Sequence, residues 1–183
     1  HVDIALWALR QNDLGQGPTK LNPVVAEHPV PMKNGHPTVH DQYQTATKFQ
    51  VDCNMPDGSV LEIVSHSQHG NGVFFEGTKG NMHVSRGRIK GNVYEKEKVH
   101  EKFTEEDYVA LYKGKPLESD NDMICHKKNM VRCIKEGGLT VSDLDSHIQE
   151  INLCHIACIA TRLGRELQWD AKTECFIGDN EAN

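Results

Sequence analysis

The sequence predicts an α+β domain built on a mostly antiparallel, open β-sheet with helices packed on one face. Three observations carry that prediction. The segment YQTATKFQVDCNM alternates with a period of two. The PDG triplet at Pro56–Gly58 separates it from a second apolar run, SVLEIVSH, as a turn separates two antiparallel strands. The order of elements is a helix, a block of strands, then helices, without the strand–helix alternation that a parallel sheet requires.

At the start, VDIALWALRQ is apolar nearly all round and reads as a short helix buried on most sides, ended by Gly15, Gly17 and Pro18. The stretch from Thr19 to Val39 carries Pro23, Pro29, Pro31 and Pro37. Proline donates no ladder hydrogen bond, so this stretch is expected to be an edge strand and a long loop. In the alternating segment Tyr43, Thr45, Thr47, Phe49, Val51, Cys53 and Met55 share the buried face. Gln44, Lys48, Gln50, Asp52 and Asn54 lie opposite, with Ala46 among them. GVFFEG, TKG and NMHVSRGRI repeat the strand–turn–strand logic, giving a sheet of four or more strands between about Thr19 and Val93.

The last third is helical in pattern. TEEDYVALY has Thr104 as a cap, Asp107 three residues on, and Gly114 as its stop. A second run from about Asp122 to Glu136 ends at Gly137–Gly138. SDLDSHIQEINLCHIACIATRLG is the strongest helix, with Ser142 as cap, Asp143 and Asp145 at its positive end and Arg162 and Arg165 at its negative end. Leu144, Ile148, Ile151, His155 and Ile159 recur at three and four residues, and this stripe is expected to face the core. ELQWDAKTECFIG closes the chain as a strand or arm.

Composition narrows the function. The chain has 183 residues, the size of one domain, with 37% hydrophobic and 25% charged residues, enough for a core. Its net charge of −6 and lack of a basic run argue against nucleic acid, whose phosphates need clustered Lys and Arg. No segment reaches the roughly 18 apolar residues of a membrane span. Six cysteines without a CxxC pair read as reduced, mostly buried thiols and fit a cytoplasmic setting, although an export signal removed earlier is compatible with the same sequence.

Eleven histidines raise the question of a metal. His147, Cys154 and Cys158 lie on roughly one helical side and offer three zinc ligands, but no paired knuckle or HExxH accompanies them. Cysteine beside an apolar face packs as a small hydrophobe, so no metal site is expected. His155 reads as a core histidine with one hydrogen-bond partner, and SHSQHGNG, with His66 and His69, as a polar bend between strands. Gly15–Gln16–Gly17 leads into Pro18 and Gly70–Asn71–Gly72 into a strand, so neither presents a helix N-terminus to a pyrophosphate. No GxSxG elbow is present.

Several segments taken together resemble one group of proteins. GNGVFFEGTKGNMHVSRGRI, the GKP at Gly114–Pro116, HKKNMVRCI and above all CHIACIATRLGRELQWDAKTECFIGDNEAN look like the C-terminal half of oxidoreductases of the glucose–fructose oxidoreductase/inositol dehydrogenase (Gfo/Idh/MocA) family. HVDIALWAL fits as the helix that follows the family's catalytic motif. The resemblance implies a parent with an N-terminal Rossmann domain binding NAD or NADP. Residues 1–183 would be its single C-terminal substrate and oligomerisation domain, with 1–12 the helix after the motif and 165–183 a C-terminal arm. The parent would transfer a hydride between the nicotinamide and a sugar- or polyol-like alcohol, and would form a homo-oligomer through the sheet face.

The family motif has the form D-x-x-x-H-x-x-D. Asp3 matches its last aspartate, which puts the catalytic histidine one position before His1 and makes the start of this chain a cut edge. The other alignment, with His1 itself as the catalytic histidine, demands H-x-D spacing, and residues i and i+2 of a helix point apart. Asp3 is thus the expected motif acid, and Asp3, His40 and His126 are the expected substrate-side residues. No cofactor-binding residue is expected in this chain, which alone is expected to bind nicotinamide poorly and to be inactive. The alternative from another class is a non-catalytic module using its sheet for dimerisation or ligand binding.

Overall fold

The computed structural model describes residues 1–11, 13–86, 88–93, 106 and 122–183. Among them it shows an α+β fold with open, mostly antiparallel sheets. Two compact units make up the chain: His1–Phe74, His83–Gly87 and Asp145–Asn183 form one, and Phe75–Met82 with Arg88–Leu144 the other. The TEEDYVALY helix and the GKP segment fall outside the described residues.

The first unit is built on five strands: β1 (Lys20–Glu27), β4 (Lys48–Asn54), β5 (Val60–Val64), β9 (Leu167–Asp170) and β10 (Cys175–Phe176). Their order is β10-β9-β1-β4-β5, and every pairing is antiparallel. A two-stranded ribbon, β2 (Met32–Lys33) and β3 (His36–Pro37), lies between β1 and β4 in sequence. The strands β6 (Val73–Gly77), β7 (Gly80–Ser85) and β8 (Arg88–Lys90) form a separate three-stranded sheet, so the strand block before Val93 is divided between sheets.

Alternation sets the core. Val51 and Cys53 of β4, followed by Met55, are buried on one face of the sheet, while Gln50, Asp52 and Asn54 are only half-buried on the other. The pattern begins later than expected: Tyr43 is exposed, and Ala46 is buried. The PDG turn forms, with the Gly58 amide donating to the Met55 carbonyl (3.1 Å). Asp57 Oδ1 accepts from the Ser59 amide and hydroxyl, at 2.9 and 2.6 Å. Gly58 there takes φ 86°, a region glycine enters without a Cβ clash.

β1 corrects the reading of the proline-rich segment, because it is an interior strand. Its pairing with β9 covers only Lys20 and Leu21, so from Asn22 onward that side of the strand has no β9 partner. On the β4 side the register shifts between Pro23 and Val25. Pro23 therefore sits at a bulge beside an open edge, where its missing amide costs no ladder bond.

Three helices are described: α1 (Val2–Leu9), α2 (Asp122–Glu136) and α3 (Leu144–Leu163). α1 ends before the predicted glycines, because Arg10 turns left-handed (φ 54°) and its amide closes on the Leu6 and Trp7 carbonyls. Only Ala5 and Leu6 of α1 are buried, and Trp7 is exposed. α2 and α3 end at the predicted glycines, with Gly137 N–H on Cys133 O and Gly164 N–H on Ala160 O, each 2.9 Å.

α3 reverses the predicted face. Its core residues are Leu153, Ile156, Ala157 and Ala160, joined by the buried polar Gln149 and Thr161. They pack with Leu6, Leu21, Val51, Cys53, Leu167 and Phe176 into one cluster between the sheet and the two helices α1 and α3. Leu144, Ile148 and Ile151 are instead 73%, 36% and 52% exposed, and His155 is exposed with them, while Ile159 of the predicted stripe does pack against the core. The helix is apolar on two opposite sides, so periodicity found a real stripe on the outer one.

Candidate functional site

The sequence-derived residues are distributed as follows. Asp3 lies in the first turn of α1, where an acid is favoured by the helix dipole. Its Oδ1 accepts the Ile4 amide at 2.7 Å. His1 itself contributes through its backbone: its carbonyl accepts the Ala5 amide at 3.1 Å, and its side chain makes no capping bond. His40 is exposed in the loop before β4 and belongs to the same compact unit as Asp3. His126 is exposed on α2, in the other unit.

Asp3 has companions that the sequence reading did not assign to it. His147, Glu150 and Cys154 sit on α3 at spacings of three and four residues, one line along a helix. Burial works against ionisation of Asp3, while the Ile4 amide and the charge of His147 favour it. Glu150 is raised by burial and by the negative charge of Asp3, and His147 opposes them. Cys154 is raised by burial and by Glu150. Behind it, in the core, the Cys53 thiol is pushed up to about 12 by burial, Asp52 and Cys154.

Two carboxyl groups, Asp3 and Glu150, thus lie within electrostatic range of one imidazole, that of His147. The sequence reading took two of these, His147 and Cys154, together with Cys158, as a possible set of zinc ligands and did not single out Glu150. Among the described residues, no three His, Cys, Asp or Glu side chains converge to hold a metal ion.

Three further histidines have local partners. Both ring nitrogens of His28 face carbonyl oxygens, of Gln44 and of Thr161, each at 3.1 Å, tying the end of β1 to α3. His69 stacks on Phe74 with ring centroids 3.7 Å apart, and His66 Nδ1 lies 2.8 Å from the Ser65 hydroxyl.

The terminal pattern GDNEAN has a structural role in the arm. Arg165 pairs with both carboxylate oxygens of Asp179 and, at 2.9 Å, with Glu181. The Asn183 side chain receives the Phe176 amide at 2.7 Å and donates to the Phe176 carbonyl at 2.9 Å. A polar groove of about 400 Å³ opens beside this clasp, lined by Asn34, Arg162, Arg165 and Glu181, and it includes none of Asp3, His40 and His126.

The two glycine pairs considered in the sequence both lead to strands, Gly15–Gly17 to β1 and Gly70–Gly72 to β6. No described helix is long and apolar enough to cross a membrane. Comparison of the chain with known protein families, with curated proteins and with solved structures gives no match.

Proposed function

We propose that the chain is the substrate-shaping part of an NAD(P)-dependent oxidoreductase of the Gfo/Idh/MocA type, acting on a sugar- or polyol-like alcohol. The observation that carries the reading is the run from Cys154 to Asn183, whose pattern resembles that family over thirty consecutive residues. The antiparallel α+β architecture, with Asp3 in the first turn of α1, supports it. In this reading Asp3 orients the substrate hydroxyl or a neighbouring imidazole, and the Asp3–His147–Glu150 group forms the polar wall of the substrate site. His40 and His126 remain substrate-side candidates. The cofactor, and the proton-transferring lysine that the resemblance implies in the Rossmann half, belong to the parent, whose cytoplasmic setting is supported by six unbridged thiols. A homo-oligomer through the open face of the five-stranded sheet belongs to the same reading.

Isothermal titration of NAD(H) and NADP(H) into the 183-residue chain tests the division of labour. No heat of binding at micromolar concentrations is expected, and micromolar affinity would overturn it. The coding sequence upstream of His1 tests the parent: a GxGxxG domain and a histidine immediately before His1 are expected. An upstream frame without either would favour the non-catalytic module.

A further inference from the structure

The outer side of α3 carries a pattern that the core does not use. Leu144, Ile148, Ile151, His155, Cys158 and Arg162 follow spacings of four and three residues without interruption, the seam of a coiled-coil helix. None of the six is buried, and Leu144 and Ile151 are more than half exposed. Arg162 closes the stripe at one end and Asp145 flanks it at the other. Neither has an ion pair among the described residues.

We propose that this stripe is the contact between two copies of the chain, with the two α3 helices packed antiparallel about a two-fold axis near Leu153. In that register Leu144 meets Arg162, Ile148 meets Cys158 and Ile151 meets His155, each pair occurring twice by symmetry. The stem of Arg162 covers Leu144 while its guanidinium reaches Asp145 of the other copy, so the unpaired charges at opposite ends satisfy each other. A parallel pair would set Arg162 against Arg162 and His155 against His155. Charge therefore selects the antiparallel arrangement. The proposal does not rest on the oxidoreductase reading; it places the contact on α3 in place of that reading's sheet face, and the variants below tell the two apart.

Sedimentation of the purified chain tests it, with two variants beside it. The wild type is expected at twice the single-chain mass. Ile151→Glu, at an exposed position with an unchanged far-ultraviolet spectrum, is expected to weaken association at least about tenfold by placing a charge in the seam. Val60→Glu, on exposed β5, is expected to leave association unchanged. Ile148→Cys is expected to give a disulfide between positions 148 and 158 of two copies under mild oxidation, mapped by mass spectrometry. A monomeric wild type, dissociation by Val60→Glu but not by Ile151→Glu, or a Cys158–Cys158 cross-link in the wild type would each overturn the proposal.

Discussion

Truncation of Leu153 to alanine tests the orientation of α3 directly. Leu153 is 1% exposed and belongs to the cluster formed by Leu6, Leu21, Val51 and Phe176. Removing its branched end loses the transfer energy of the missing carbons and leaves a cavity between helix and sheet, a cost of about 3–4 kcal/mol. With a urea dependence of about 2 kcal/mol per molar, the midpoint falls by roughly 1.5–2 M. The matched control is Leu144→Ala on the same helix, where the side chain is 73% exposed and the expected change is within about 0.5 kcal/mol. Both are read by circular dichroism during urea unfolding, at concentrations where the chain is monomeric. Equal costs at the two positions, or a larger cost at Leu144, would refute the inward placement of Leu153.

Cys53, fully buried with its thiol pushed up to about 12 by burial, Asp52 and Cys154, is expected to resist iodoacetamide at pH 8 until the chain unfolds. Exposed Cys175 reacts in the native state, and equal native labelling of the two would contradict the packing. Gly72→Ala is expected to lower the melting temperature at a cost of about 1–3 kcal/mol. Gly72 has φ 145°, and an added Cβ would meet the Val84 carbonyl and His83 Nε2; an unchanged melting temperature would count against this contact. Asp179 is held below its usual range chiefly by Arg165, so its folded value lies below its unfolded one. Its contribution is present above the unfolded value near 3.8 and is lost as pH falls through the folded value. Asp179→Asn should therefore be less stable than wild type at pH 7, with the difference closing as pH drops below 4; a difference independent of pH would contradict this.

Much of the fold was legible because local rules and tertiary packing agreed. The alternation of Phe49, Val51, Cys53 and Met55, the PDG turn, and the glycine stops after α2 and α3 all depend on residues close in sequence. Where the reading failed, a distant partner decided. Pro23 argued for an edge, but β9 reaches only Lys20 and Leu21, which leaves an interior strand with an open flank. α3 offers two apolar sides, and periodicity cannot say which one meets the sheet; the smaller residues Ala157 and Ala160 won that place. Asp3 was legible from its position at a helix start. Its electrostatic influence on Glu150, and that of His147 on it, was not, because these residues lie more than 140 positions apart.

The central claim is that the Asp3–His147–Glu150 group faces a polyhydroxylated substrate. Two-dimensional amide NMR of the isotope-labelled chain, titrated with glucose and with myo-inositol, tests it most directly. The account predicts saturable shifts confined to the first turn of α1 and the His147–Cys154 stretch of α3, and their loss in Asp3→Asn. Saturable shifts elsewhere with none at these residues, or no saturable shift with either compound, would contradict it.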